Sequence, residues 1–296
     1  MGIPRKILTI AGSDSGGGAG IQADLKTILA LGCYGMSAIT ALTAQNTQGV
    51  QAIHAPDPEF LGQQLDAVFL DIGADAVKIG MLHSPEIVAV VAERLRRFHP
   101  AHVVLDPVMV ATSGDALITP RTQASIVSLL FPLASVVTPN LDELSLLVGE
   151  PITRPHQFQA AAATILRMDA QAVLIKGGHL DQPNIVDVLF EANPNGPAGT
   201  VGQVTEIQSP KISTRNLHGT GCTLSSAIAC FLAEGYPLKT AVKGGHDYVR
   251  RAIEAAVDMQ IGIDATIGHG PVNHGFEPQP MHLFDRITPI QKPSRH

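Results

Sequence analysis

Tryptophan is absent from the 296-residue chain, and aromatic residues make up only 4% of it. Proteins that hold single-stranded nucleic acid stack its bases on aromatic side chains, so this scarcity disfavours such a role. The formal net charge is −6, and no basic cluster offsets it. Because nucleic-acid surfaces concentrate positive charge, we expect no nucleic-acid partner.

Cysteine is also scarce. The three cysteines, Cys33, Cys222 and Cys230, contain no CxxC pair, and the histidines show no HExxH spacing. An odd and unpaired set argues against a disulfide scaffold and against a structural zinc site. A reducing cytoplasm is the compartment that this pattern favours.

Long hydrophobic runs are missing as well. No run approaches the roughly 18 residues that span a membrane, and the first residues lack the apolar core of a signal segment. We therefore expect a cytoplasmic protein without a membrane partner. No linker or internal repeat divides the chain, so a single domain is predicted over residues 1–275. Residues 276–296, rich in Pro and Gln, are predicted to be poorly ordered.

Apolar strand patterns alternate with helical patterns along most of the chain. The predicted strands are 6–12, 36–43, 76–80, 102–106, 135–138 and 172–176. The predicted helices are 21–31, 56–70, 85–98, 120–130, 141–148, 157–167, 223–234 and 238–259. This alternation predicts an α/β fold with a mostly parallel sheet and helices on both faces. Strand-like pieces flank the Gly- and Pro-rich loop 193–202 and predict an antiparallel edge.

A buried helix is predicted from Thr223, and Gly219-Thr220-Gly221 comes just before it. A glycine turn that opens a helix leaves amide groups unpaired at the positive end of the helix dipole. This arrangement predicts an anion site suited to phosphate. Cys222 lies in the first turn, where a thiolate is stabilised. The alternative is an ordinary helix start with a buried cysteine.

Polar residues follow most of the predicted strands, at the strand ends where ligands collect in parallel sheets. They are Asp14, Gln45, Gly80-Met81, Asp106, Asn140 and Lys176. Asp106 suits Mg²⁺, although a helix cap or loop hydrogen bond is an equal alternative. Lys176, followed by two glycines, suits a phosphate contact. Asn140 and Glu143 form either a capping box or the support of a hydrated Mg²⁺.

A second glycine run, Gly16-Gly17-Gly18-Ala19-Gly20, follows the first strand. Its spacing does not fit GxGxxG, and the chain has no Gly-Lys pair for a Walker A loop. A nicotinamide-dependent oxidoreductase is therefore disfavoured. The run is either a flexible turn or a loop on the substrate side of the site.

Six motifs in order resemble the hydroxymethylpyrimidine/phosphomethylpyrimidine kinases of thiamine biosynthesis, in the ribokinase-like superfamily. They are the segments 11–24, 40–47, 106–109, 138–143, 176–179 and 218–222. The resemblance implies a three-layer α/β/α fold, a homodimer, and ATP and Mg²⁺ as cosubstrate and cofactor. It implies phosphorylation of 4-amino-5-hydroxymethyl-2-methylpyrimidine, and then of its monophosphate to the diphosphate.

The same resemblance implies roles for particular residues. Those matching the catalytic centre are Cys222, Gly219, Gly221 and Lys176. Those matching the pyrimidine pocket are Gln45, Asp24, Gly12, Met81 and Val108, with Gln45 on the pyrimidine edge. Those matching the ATP site are Lys176, Thr220, Gly219, Thr138 and Asn140, and those matching the magnesium region are Asp106 and Glu143.

Cys222 replaces the Asp with which most ribokinase-like enzymes end this motif, a change that the pyrimidine kinases share. A free thiol has a pKa of about 8.5, and a helix N-terminus lowers it, so a thiolate is expected. The hypothesis is that Cys222 orients or deprotonates the hydroxymethyl oxygen. The amides of residues 219–222 would then stabilise the transferring phosphoryl group.

Two other functions stay open. A pyridoxal or pyridoxine kinase belongs to the same superfamily and acts on a similar ring alcohol, although Gln45 favours the pyrimidine. A non-catalytic ligand-binding protein on this fold would be expected to lack Lys176, Asp106 or the glycine turn, and all three are present.

Overall fold

Strands and helices alternate in a computed structural model that describes residues 2–109, 118–178, 180, 182–263 and 268–284. The strands are β1 (Lys6–Asp14), β2 (Tyr34–Asn46), β3 (Gly49–His54), β4 (Ala76–Ile79), β5 (His102–Leu105), β6 (Val136–Val137), β7 (Ala172–Ile175), β8 (Asn184–Ala192) and β9 (Val201–Pro210). The α-helices are α1 (Gly20–Ala30), α2 (Pro58–Asp71), α3 (Pro85–Phe98), α4 (Pro120–Leu130), α5 (Leu141–Val148), α6 (Phe158–Leu166), α7 (Thr220–Ala233) and α8 (Leu238–Glu254).

These strands form one sheet in the order β3-β2-β1-β4-β5-β6-β7-β8-β9. The pairs from β2 to β7 are parallel. β8 and β9 extend the sheet in antiparallel fashion, which confirms the predicted edge. β3 adds an unpredicted antiparallel strand at the other edge. Every residue of β3 is half-buried or exposed, so its sequence carries no buried face that a periodicity could reveal.

Two hydrophobic cores cover the two faces of the sheet. Consecutive strand residues point to opposite faces, so Leu8 packs in one core and Ile7 in the other. Val103 likewise packs in the first core and Val104 in the second. Helices α2 to α6 cover the first face, and residues of α1, α7 and α8 cover the second. The result is the predicted three-layer α/β/α arrangement.

Helix α7 packs across β1, β4 and β5. Ile228 and Ala229 of this helix are fully buried in the same core as strand residues Ile7, Ala76 and Val104. The helix therefore brings its first turn over the carboxyl ends of the central strands.

The segment after Gly275 runs back along the start of the chain. The amide of Gln279 donates to the carbonyl of Ala30 at 2.8 Å, and Ile3 and Phe284 exchange backbone hydrogen bonds at 2.8 and 3.0 Å. The prediction of a poorly ordered tail concerns residues 276–296, of which 285–296 lie outside the described residues. Among the helices described, none has the length and apolar character needed to cross a bilayer.

Candidate active site

The site begins at the glycine turn before α7. Gly219 is the N-cap and has a left-handed φ of 84°. A Cβ there would lie 1.9 Å from the carbonyl oxygen of Gly18, so only glycine fits. The first helical bond runs from the Thr223 amide to the Gly219 oxygen at 2.9 Å, and the amides of Gly221 and Cys222 precede it. These two N–H groups belong to the end of the helix that attracts anions.

Lys176 and Asp106 lie beside this turn, as the strand-end argument predicts. The Lys176 ammonium lies 2.9 Å from Asp106 Oδ1, to which the Thr138 hydroxyl also donates at 3.1 Å. A Cβ built on Gly221 would lie 3.3 Å from both Lys176 Nζ and Asp106 Oδ2. A cation, a carboxylate and the first amides of a helix therefore share one small region.

Asn140 and Glu143 form the capping box that the sequence left open as one alternative. Asn140 Oδ1 accepts from the Glu143 amide, and Glu143 Oε2 accepts from the Asn140 amide, both at 2.9 Å. Burial raises the pKa of Glu143 to about 7; Lys176 opposes this shift and Asp106 adds to it. Two carboxyl groups therefore share one cationic neighbour, an arrangement that one divalent cation would neutralise. No group of three or more His, Cys, Asp and Glu side chains that could hold a metal occurs among the described residues.

The expectation that Cys222 is a thiolate is wrong. Burial raises the pKa of Cys222 to about 11; Lys78 lowers it, but Asp24 and Asp106 raise it further. A hydrogen bond with the Gly20 backbone also lowers it, by less. Desolvation of the charged sulfur outweighs the helix N-terminus, which the sequence argument considered alone.

Gln45 lies on the other side of the glycine turn. Its Nε2 lies 3.4 Å from His218 Nε2, and the Thr43 hydroxyl donates to its Oε1 at 3.1 Å. His218 Nε2 also lies 3.0 Å from Asp14 Oδ2. Gln45 and His218 thus both lie beside the glycine turn before α7. This is the placement expected of a pyrimidine pocket next to a phosphate site.

Asp14 holds the N-terminal glycine run against this turn. Its carboxylate accepts from the amides of Gly16, Gly18 and Ala19 at 2.8, 3.0 and 2.8 Å. Burial raises the pKa of Asp14, but the bonds to His218 and to these amides reverse the shift and leave it lowered. These bonds tie the glycine run into a hydrogen-bonded loop that lies against the turn before α7.

Asp24 is placed differently from the other predicted pocket residues. Its side chain is fully buried beneath the site and lies 2.9 Å from the equally buried Lys78 ammonium. The hydroxyls of Thr9 and Ser226 donate to its two oxygens at 2.6 and 2.8 Å. Asp24 therefore supports the floor of the site rather than facing an open pocket.

Gly12, Met81 and Val108 lie close to the strand ends. A Cβ on Gly12 would lie 2.9 Å from Met81 Cε, so these two residues touch. The Val108 amide donates to the Asp106 carbonyl at 2.8 Å. Thr220 uses its own amide in the turn, donating to the Leu217 carbonyl at 3.3 Å. His179, the last residue of one motif, lies outside the described residues.

Lys78 is the neighbour of Cys222 that sequence reasoning missed. Burial lowers the pKa of Lys78, but Asp24, Cys222 and Asp106 outweigh it and the net shift is upward. The available signal was a lysine within the otherwise apolar strand β4, Ala76–Ile79, which is buried throughout. A charge in such a strand requires a partner.

Fold and site together define a phosphotransferase of the ribokinase-like class, in which a glycine turn opens a helix beside a Lys–Asp pair. A family model described as phosphomethylpyrimidine kinase matches residues 14–273, and the chain belongs to that family. The hydroxymethylpyrimidine/phosphomethylpyrimidine kinase of Rhizobium meliloti is 50% identical over 268 residues, covering 90% of this chain and 96% of that protein.

Two solved structures are also similar. The phosphomethylpyrimidine kinase of Clostridium difficile 630 is 42% identical with a TM-score of 0.72, covering 84% of this chain and 99% of that one. The pyridoxal kinase of Staphylococcus aureus in complex with AMP-PCP and pyridoxal is 32% identical with a TM-score of 0.80. That match covers 95% of this chain and 97% of the other.

Proposed function

We propose that the protein is an ATP-dependent kinase that phosphorylates 4-amino-5-hydroxymethyl-2-methylpyrimidine and then its monophosphate to the diphosphate, in thiamine biosynthesis. The observation that carries the proposal is the position of Gly221, whose Cβ would lie 3.3 Å from both Lys176 Nζ and Asp106 Oδ2. Free amides, an ammonium and a carboxylate are the parts that phosphoryl transfer needs most, because its catalysis is chiefly positioning and charge neutralisation.

On the nucleotide side, the amides of Gly221 and Cys222 bind the transferring phosphoryl group, and the Lys176 ammonium compensates its charge. The pKa of Lys176 supports this role: burial lowers it, but Asp106 and Glu143 outweigh burial and keep the side chain protonated. Asp106 and Glu143 would hold Mg²⁺, which neutralises phosphate oxygens when bound.

On the pyrimidine side, Gln45 hydrogen-bonds the ring edge, and Gly12, Met81 and Val108 line the pocket. The hydroxymethyl oxygen is the phosphoryl acceptor, and the Cys222 thiol orients it toward the transferring phosphoryl group. Because burial raises its pKa to about 11, it acts as a neutral hydrogen-bonding group rather than as a preformed base.

A cytoplasmic homodimer is the assembly we propose. Leu42 and Ile53 are each 46% exposed on β2 and β3, and Phe60 is 55% exposed on the next helix. Apolar side chains left in water at one sheet edge favour a covering partner. Light scattering on the purified protein gives the mass, and a monomeric mass contradicts this assembly.

A pyridoxal kinase is the second candidate. The specific observation in its favour is the TM-score of 0.80 with the S. aureus pyridoxal kinase, at 95% coverage. The curated relative at 50% identity is a pyrimidine kinase, which places the pyrimidine first.

The deciding experiment incubates the protein with ATP, Mg²⁺ and either the pyrimidine alcohol or pyridoxal, and counts the phosphates in each product. We expect a pyrimidine monophosphate that disappears as the diphosphate accumulates. A product from pyridoxal alone would replace the first function with the second. No product from either substrate would leave the ligand-binding alternative.

A further inference from the structure

A buried chain of three side chains lies behind the nucleotide side of the site. Ser209 Oγ lies 3.0 Å from His246 Nε2, and His246 Nδ1 lies 2.9 Å from Asp187 Oδ2. The residues come from β9, α8 and β8, and they are 8%, 7% and 6% exposed in that order. We call Ser209, His246 and Asp187 the edge relay.

The relay ends at the backbone next to Lys176. Asp187 Oδ1 accepts from the amide of Gly177 at 2.9 Å. Gly177 itself lies against β8, because a Cβ there would lie 2.1 Å from the Val186 carbonyl oxygen. No side chain fits at residue 177, so its amide meets the Asp187 carboxylate directly.

The hydrogen bonds have one consistent direction in the neutral form of the histidine. The Ser209 hydroxyl donates to His246 Nε2, and His246 Nδ1–H donates to Asp187 Oδ2. Gly177 N–H then donates to the other carboxylate oxygen. A carboxylate oriented on both oxygens is held in one rotamer, in the way that outer-shell partners orient metal ligands.

Lys176 depends on this turn for its direction. Its own amide donates to the Pro139 carbonyl at 3.1 Å, and the Gly177 amide beside it is held by Asp187. These two backbone bonds flank the Cα from which the side chain leaves toward Asp106, 2.9 Å away. A small rotation here would swing the end of a long side chain by more than the reach of a hydrogen bond.

We infer that the edge relay positions Lys176 for the nucleotide phosphates, acting through the Gly177 amide; the inference rests on the kinase function proposed above. Asp187, His246 and Ser209 touch no reacting atom, so they are positioning residues. The antiparallel edge of the sheet and α8 thereby contribute to nucleotide binding, although neither carries a residue of the predicted site.

The test compares two replacements of His246. His246→Asn keeps a donor near the position of Nδ1 and so retains the bond to Asp187. His246→Gln places its amide near the position of Nε2 and loses that bond. We expect His246→Gln, like Asp187→Ala, to weaken Mg·ATP binding about tenfold by calorimetry, with His246→Asn much closer to the unmodified protein.

A double-mutant cycle with Lys176→Met separates positioning from general damage. If the relay acts through Lys176, His246→Gln causes no further loss of Mg·ATP affinity once Lys176 is absent. Tyr248→Phe is the matched control, since Tyr248 is also buried on α8 and donates to the His274 carbonyl at 2.5 Å. It is expected to lower the melting temperature without changing Mg·ATP affinity.

Equal losses from His246→Asn and His246→Gln, or losses that add to Lys176→Met, would overturn the inference. The His246 pair decides the matter even if Asp187→Ala does not fold. Binding is measured without the pyrimidine, so a failure of the relay stays distinguishable from a failure of the proposed substrate. If the protein binds Mg·ATP but phosphorylates neither ring alcohol, the proposed function is contradicted, and the binding measurements still decide whether the edge relay positions Lys176.

Discussion

Two Lys–Asp pairs in and beneath the site have the same separation and different surroundings. Lys78 and Asp24 lie 2.9 Å apart with both side chains fully buried. Lys176 and Asp106 are also 2.9 Å apart, but the lysine is 14% exposed and the aspartate 3%. We call them the sealed pair and the open pair.

The sealed pair leaves its carboxylate no unused oxygen. Thr9 and Ser226 donate to the two oxygens of Asp24, and the Lys78 ammonium lies within hydrogen-bond distance of both. Buried charges are retained only when they are fully compensated, so this pair has nothing to offer a ligand. Its charge still reaches the site, because Lys78 lowers the pKa of Cys222.

In the open pair, the hydrogen bonds that the described residues make to the carboxylate go to one oxygen only. Thr138 and Lys176 both contact Oδ1 of Asp106, whereas Oδ2 faces Gly221 in the first turn of α7. We propose that the completeness of the hydrogen-bond shell separates a structural ion pair from a ligand-binding one. The distance between the charges does not.

The largest expected effect is on the sealed pair. Lys78→Met leaves Asp24 buried without its counter-charge, and breaking a buried pair in this way costs about 3–5 kcal/mol of the free energy of unfolding. Urea denaturation measures the loss. Lys78→Met combined with Asp24→Asn removes both charges and keeps one acceptor oxygen. The hydroxyl of Thr9 or of Ser226 that loses its acceptor can turn to accept from the new amide, so the double variant should recover part of the stability. A loss below about 1 kcal/mol in the single variant would show that the pair is not sealed.

The open pair is expected to respond in activity rather than stability. Lys176→Met should lower kcat/KM for ATP about 100-fold, or about 2.7 kcal/mol, because the transferring phosphoryl group loses its cation. Its loss of unfolding free energy should be smaller than that of Lys78→Met. Steady-state kinetics with varied ATP and matched denaturation curves provide the comparison. Unchanged ATP kinetics would remove Lys176 from the nucleotide site.

A smaller effect is the pH dependence that Glu143, a neighbour of the open pair, confers on Mg·ATP binding. Burial raises the pKa of Glu143 from its ordinary 4.5 to about 7. Because Mg²⁺ favours the ionised carboxylate, Mg·ATP affinity should rise about tenfold between pH 6 and 8, and Glu143→Gln should flatten that rise. For the ligand-free protein the sign is opposite. An acid with a raised folded pKa loses stability as pH rises from about 4.5 through 7.

Titration calorimetry across this range measures the affinity, and the Glu143→Gln variant serves as the control for other groups. The sealed pair predicts no such dependence near neutral pH, since Lys78 stays protonated there. A slope that persists in Glu143→Gln would assign it to another group.

The smallest effect concerns Cys222, whose pKa is shifted by members of both pairs. A thiol with a pKa of about 11 is protonated near neutral pH, so its loss should cost orientation only. We expect Cys222→Ala to lower kcat about tenfold and Cys222→Ser to lower it less, since the hydroxyl keeps a hydrogen-bonding group. Turnover measured from pH 6 to 9 should show no step from the thiol. If both variants lost turnover equally and the pH profile of the unmodified protein showed such a step, Cys222 would again be interpreted as a thiolate base.

Sequence reasoning located most of the architecture because buried strands and amphipathic helices leave clear periodicities. Strand β3 escaped because it has no buried face. Helix α7 begins at Thr220, three residues before the predicted start, since glycine and threonine hide the first turn. The capping box of Asn140 and Glu143 was one of two alternatives, and only the hydrogen bonds at 2.9 Å show that it forms.

The pattern of residues along the sequence determined the alternating fold, the glycine turn before helix α7 and the position of Asp106 and Lys176 at strand ends. These features follow from the chemistry of neighbours in sequence. The tertiary structure alone decided that Asp24 is sealed by Lys78, that Cys222 is a thiol and that Asp187 supports the Lys176 turn. Each of these depends on burial and on partners far away in the sequence, and desolvation depends on the packing of the whole chain.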